Sequence, residues 1–173
     1  LNIGCFGGNT GSIEVQAIGG KTPYNYSWST GSTQSSIDQL AIGTYSVTII
    51  DGGGCSATRS FDISQAPLLE LSLDATIPVD CSGSATGVAN LSATGGTGAY
   101  IFDWSNGSSG ASLDNLTAGN YTVTVTDESN CTAEVDVNIT QPDALAITIM
   151  SKEDVSCFGA DDGSATVMAT GGI

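Results

Sequence analysis

Cys81 stands 76 residues after Cys5, and Cys157 stands 76 residues after Cys81. The same spacing carries Gly19-Gly20 onto Gly95-Gly96 and Gly171-Gly172, Trp28 onto Trp104 and Tyr45 onto Tyr121. It also carries Asp51 onto Asp127, Cys55 onto Cys131 and Gln65 onto Gln141. More than a third of the aligned positions in the first two units are identical. A gapless period this long exceeds most solenoid repeats and suits one small β-domain per unit. The expected organisation is a first unit over 1–67, a second over 68–143 and the start of a third over 144–173. The period is entered and left part-way, so the sequence reads as a slice of a longer tandem array.

Within each unit the hydrophobic pattern has period two, the signature of a half-buried strand. Ile13, Val15 and Ala17 alternate with Glu14 and Gln16, and Ala89, Leu91, Ala93 and Ala165, Val167, Ala169 follow suit. Tyr24, Tyr26 and Trp28 share one face of the next strand, matched by Tyr100, Phe102 and Trp104. Short strands around Ile37 or Leu113 precede the alternating runs Tyr45-Val47-Ile49 and Tyr121-Val123-Val125. Turn residues at Ser29-Thr30-Gly31, Asp51–Gly54 and Asp127–Asn130 separate these runs. Many short strands with regular turn signals predict an all-β chain of tandem, Ig-like β-sandwiches. Leu40 to Tyr45 and Leu116 to Tyr121 have the form of a tyrosine corner, so Tyr45 and Tyr121 join Trp28 and Trp104 as expected structural core residues. The disulfide cysteine that follows this corner in antibody domains is replaced by Val47 and Val123, so the likeness is one of architecture.

Charge removes several functions. Three basic residues stand against 18 acidic ones, a formal net charge of -15. Such a chain cannot neutralise a run of phosphates, which excludes nucleic acid as a partner and argues against docking on anionic lipid. The apolar runs, such as Ala144 to Met150, are too short to span a bilayer, so no direct membrane insertion is expected. With no histidine, the usual general base at neutral pH is missing, and no Ser or Cys has an evident activating partner. Acids such as Asp62, Glu134 and Asp136 fall on outward strand positions, where they solvate the sheet. The chain is read as non-catalytic.

No cofactor is expected, and calcium is the alternative. Asp51, Asp127, Asp161 and Asp162 offer hard oxygen ligands, although no DxDxDG loop is present and Asp161-Asp162 do not recur in the other units. Cysteine spacing lacks the CxxC of a zinc site. One cysteine precedes the first inner strand of each unit and one follows a late turn. On a count of four alternating strands they meet at one end, giving the pairs Cys5–Cys55 and Cys81–Cys131, with Cys157 bonded outside the chain. One further strand within Ser32–Ser36 would instead put the two cysteines at opposite ends and forbid the bond. A closed loop of about 50 residues contributes about 4 kcal/mol in the chain-entropy model and implies an oxidising, extracellular or periplasmic location.

The succession Cys-x-Gly-x-x-x-Gly, an alternating strand, Gly-Gly, Tyr-x-(Tyr/Phe)-x-Trp-Ser-x-Gly, Leu-x-x-Gly-x-Tyr-x-Val-Thr, Asp-x-x-x-Cys and Ile-(Ser/Thr)-Gln resembles the SprB-type repeat. Cys5 to Gln65 and Cys81 to Gln141 match throughout, and Cys157 to Gly172 match the opening. The resemblance implies a stalk or filament module of a giant cell-surface adhesin of gliding Bacteroidetes. It implies type IX secretion, an outer-membrane-associated extracellular location, and attachment and gliding motility as the roles served. Expected partners are neighbouring repeats, the secretion and gliding machinery, and surface polysaccharide or a solid surface reached through other regions. Two other readings stand beside it. A polysaccharide-binding module would need Tyr24, Tyr26 and Trp28 to face outward, and an accessory repeat of a secreted enzyme would need catalytic sequence elsewhere.

Overall fold

Period-two patterning in the first repeat becomes five strands: β1 (Gly11–Glu14), β2 (Asn25–Trp28), β3 (Ser36–Leu40), β4 (Gly43–Ile50) and β5 (Ser56–Ile63). The computed structural model describes residues 1–173 and contains strands and turns but no helix. β1 pairs antiparallel with β3, setting Ile13 opposite Ile37. β4 lies between β2 and β5, setting Trp28 opposite Val47 and Tyr45 opposite Phe61. The inward side chains of the two sheets form one cluster of Ile3, Ile13, Trp28, Ile37, Leu40, Val47 and Ile63. This is the interdigitated core that a two-sheet sandwich requires.

The second repeat rebuilds the plan with β6 (Glu70–Ile77), β7 (Gly87–Thr94), β8 (Ile101–Trp104), β9 (Ser112–Leu116), β10 (Gly119–Thr126) and β11 (Thr132–Ile139). Its sheets are ordered β6-β7-β9 and β11-β10-β8. β7 pairs with both β6 and β9, while β1 pairs with β3 and its Ser12 exchanges hydrogen bonds with Leu1, the Leu1 amino group donating to Ser12 O at 2.7 Å and the Ser12 N–H to Leu1 O at 3.1 Å. Val123, Val125, Val137 and Ile139 are fully buried. β12 (Ala146–Glu153) and β13 (Ser164–Thr170) form an antiparallel pair in the third repeat. Packing divides the chain into two compact units, which do not coincide with the repeats. One comprises Leu1–Leu71, Ala93–Ile101 and Val125–Ala133; the other comprises Ser72–Ser92, Phe102–Thr124 and Glu134–Ile173.

The segment between β2 and β3 decides where the cysteines lie. After Trp28 the chain turns, with the Trp28 N–H donating to Ser32 O at 2.9 Å, and climbs back beside β1, where the Val15 N–H donates to Ser35 O at 3.0 Å. Ser29–Ser35 is thus a return stroke that is not a strand. It makes β3 antiparallel to β1 and sends β4 back toward the end from which β2 began. The expected pairing of Cys5 with Cys55 is corrected by this path. Cys55 immediately precedes β5, while the Cys5 turn is held beyond the far end of β5, where the Gly7 N–H donates to Gln65 Oε1 at 2.9 Å. Eight residues of strand span about 26 Å, far beyond the roughly 7 Å between Cα atoms that a disulfide tolerates.

Candidate functional site

Three recurring turns hold the residues that the sequence singles out. The first carries the leading cysteine. The Gly8 N–H donates to Cys5 O at 3.2 Å, the Ser84 N–H to Cys81 O at 3.0 Å and the Ala160 N–H to Cys157 O at 3.1 Å. Gln65 and Gln141 fasten the first two of these turns, with the Gly83 N–H donating to Gln141 Oε1 at 3.0 Å in the second. The role of this glutamine was not read from the sequence, although its place in the period was visible.

The second turn carries the trailing cysteine on an aspartate. Asp51 accepts from the N–H groups of Lys21 (3.0 Å), Gly53 (2.9 Å) and Cys55 (2.8 Å). Asp127 accepts from the N–H of Thr97 (2.8 Å), the Thr97 hydroxyl (3.2 Å) and the N–H of Cys131 (2.8 Å). Each carboxylate therefore ties the residue after Gly-Gly to the cysteine turn. The Lys21 N–H, then that of Cys55, holds Asp51 below the usual carboxylate range against a smaller upward push from burial. For Asp127 burial is the largest single influence and pushes upward, yet the N–H of Cys131 and the N–H and hydroxyl of Thr97 together hold it below that range.

These shifts give stability a definite pH dependence. The folded chain keeps both carboxylates ionised at a pH where the unfolded chain has begun to protonate them, so stability rises with pH in that range. Their contribution is fully present above the ordinary value of 3.8 and is lost as pH falls through the lower folded values. Urea midpoints measured from about pH 6 down to about pH 2 are expected to fall steeply below about pH 4. Asp51→Asn with Asp127→Asn should lower the neutral-pH midpoint and flatten that acid limb. An unchanged acid limb would show that other carboxylates set it.

Three of the four calcium candidates accept hydrogen bonds in this structure. Asp51 and Asp127 spend their oxygens on turn N–H groups. Asp162 accepts from the Ser156 N–H at 2.9 Å, Ser156 holds its carboxyl below the ordinary value, and Asp161 is exposed. No group of three or more acidic, cysteine or histidine side chains is arranged to hold a metal ion.

The third turn is the tyrosine corner. The Tyr45 hydroxyl donates to Ala41 O at 3.0 Å and the Tyr121 hydroxyl to Thr117 O at 2.9 Å. Both rings are half-buried, whereas Trp28 and Trp104 are only 3% and 4% exposed. The Tyr26 ring also packs on the core, and Tyr24 is half-buried.

A groove on the first repeat is lined in part by Val15, Ala17, Tyr24, Ile49 and Phe61. In the second repeat Leu68 lies against the equivalent Gly95, and in the third Ala144 lies against Gly171. A Cβ on Gly95 would collide with the Leu68 carbonyl, and Gly95 has φ +77°. Gly95→Ala is expected to cost at least about 1–2 kcal/mol for the left-handed conformation alone, with the collision added. Gly19→Ala, with no atom within 4 Å, should cost only the conformational part. Equal losses in paired urea titrations would remove the steric argument.

Cys5 is bonded to Cys131, with Cα atoms 5.6 Å apart, and both residues lie in the first compact unit. Cys55, Cys81 and Cys157 carry free, exposed thiols. The expected Cys81–Cys131 pair is corrected along with Cys5–Cys55: the trailing cysteine of the second repeat is taken by the leading cysteine of the first.

Residues 2–33, 74–109 and 150–173 match the SprB repeat, the three segments starting 72 and 76 residues apart, close to the period of the sequence. No curated protein matches the chain. Among solved structures, the three N-terminal domains of the bacteriophage RB49 Highly Immunogenic Outer Capsid protein (Hoc) are similar, with TM-score 0.52 and 15% identity over 98% of this chain and 67% of that one. An amphioxus IgVJ-C2 molecule is similar at TM-score 0.36 and 18% identity over 82% of this chain and 99% of that one. The likeness to the capsid protein is one of fold, and it agrees with tandem Ig-like sandwiches.

Proposed function

Because the chain belongs to the SprB repeat family, we propose that it is a non-catalytic stalk or filament segment of a large secreted cell-surface adhesin serving attachment and gliding motility. The observation that carries this reading is the match of one family over three successive segments of the chain. The recurring chemistry is compatible with it. The repeated Asp and Gln side chains close turns, and the repeated Trp side chains fill cores. A formal charge of -15 on the sequence keeps such an array soluble and opposes edge-to-edge sticking. The disulfide is compatible with an oxidising, extracellular location. Export by the type IX system and contact with the gliding machinery belong to the same proposal.

Live imaging of intact cells labelled with antibody against this fragment tests it. Label on surface fibres that travel along the cell would support a motility adhesin. Fixed surface label would retain the adhesin and remove gliding. Label confined to the culture medium would overturn the reading and favour an accessory repeat of a secreted enzyme.

A further inference from the structure

The Cys5–Cys131 bond joins the leading cysteine of one repeat to the trailing cysteine of the next. Both halves of this linkage recur. Cys81 and Cys157 sit in the same turn as Cys5, with the same carbonyl accepting the N–H three residues on. Cys55 sits in the same turn as Cys131, with its N–H given to Asp51 as that of Cys131 is given to Asp127, at 2.8 Å in both. Gln65 and Gln141 brace the leading turn alike. The three thiols left over are the exposed ones, Cys55, Cys81 and Cys157.

We propose that these thiols are the open halves of a disulfide ladder: in register, Cys81 bonds the trailing cysteine of the repeat that follows, and Cys55 bonds the leading cysteine of the repeat before. Each bond forms as two thiols release two protons and two electrons, which reduce the disulfide of a thiol–disulfide oxidant to a dithiol. The ladder rests on the register of the repeats and not on what the array adheres to.

The consequence is mechanical. A bond closing Cys5 to Cys131, 126 positions apart in sequence, removes the chain between them from any path that bears tension. In a ladder, tension entering at Cys5 crosses to Cys131, follows the backbone for 26 residues to Cys157, and crosses again. Those 26 residues reach about 90 Å fully extended, whereas the two 76-residue periods they stand for reach about 500 Å. An oxidised array is therefore about fivefold less extensible than a reduced one, even with every sandwich unfolded. Successive loops overlap between Cys81 and Cys131, so no repeat lies outside a closed loop.

The test uses the native protein from cells whose free thiols are alkylated before lysis, digested without reduction and mapped by mass spectrometry. The expected result is a Cys5–Cys131 peptide, Cys81 linked to a peptide of the following repeat, and Cys55 linked to one of the preceding repeat. Alkylated Cys81 or Cys55 in the native array would overturn the ladder, as would Cys81 linked to Cys131. A second measurement pulls single native molecules with and without reductant. Contour length should rise about fivefold on reduction, and equal contour lengths would overturn the proposal. Either failure leaves the adhesin reading standing, because imaging decides that separately.

Discussion

Trp28→Ala is expected to destabilise the first repeat by about 3–5 kcal/mol, and Trp104→Ala the second by a similar amount. Each indole is almost wholly buried, so truncation loses the transfer energy of the ring and leaves a cavity among branched side chains that cannot collapse into it. Each also holds a hydrogen bond. The Trp28 Nε1–H donates to Gln34 O at 2.8 Å, and that of Trp104 to Gly110 O at 2.9 Å. These bonds pin the return stroke to the core, between β2 and β3 in the first repeat and between β8 and β9 in the second. Trp→Phe should therefore cost more than the lost volume alone, by roughly 1 kcal/mol for the missing donor. Packing forms two units, so unfolding need not be a single transition. Far-ultraviolet circular dichroism in urea follows the repeat that carries the substitution, and the fluorescence of the surviving indole follows the other repeat as an internal control. A loss below about 1 kcal/mol would show that the ring does not hold the sandwich and would reopen the carbohydrate-platform reading.

The sandwich was legible because burial follows the alternation of side chains. A strand with Val47 on one face and Thr48 on the other can be seated in only one sense against a core. The tyrosine corner was legible for a similar reason, since a hydroxyl four residues from a carbonyl needs only local geometry. The cysteine pairing was not. It depends on whether the chain crosses the sandwich an odd or an even number of times, and one crossing is made by Ser29–Ser35, a polar stretch with no alternation to mark it. Ser32–Ser36 was identified as the place where a hidden strand would separate the cysteines, and the return stroke does so without strand pairing. The aspartates show the opposite limit. Their position in the period marked them as important, but an aspartate binding calcium and one closing a turn look alike until its three hydrogen-bond donors are seen. Gln65 and Gln141 are a further case: their partners, Gly7 and Gly83, lie 58 positions away in each repeat, beyond any local pattern.

Cys5→Ser is expected to remove about 5 kcal/mol in the chain-entropy model, because the bond it deletes closes a loop of 126 residues. The loss should fall on the first compact unit, where Val125–Ala133 is held against the first repeat. Reductant should reproduce it in the parent chain and have no further effect on the stability of Cys5→Ser. Cys55→Ser is the control that separates the two pairings. Cys55 is exposed and unbonded in this structure, so its replacement should change stability by less than about 0.5 kcal/mol. Were Cys5 bonded to Cys55, the two variants would be equally damaged. Thiol counts after denaturation give an independent reading. The isolated parent chain should show the three free thiols of Cys55, Cys81 and Cys157, and Cys5→Ser should add one, on Cys131. A new thiol on Cys55 would restore the pairing within a repeat. A new thiol on Cys131 makes the bond one between repeats, so that loosening a repeat no longer frees its length to the load.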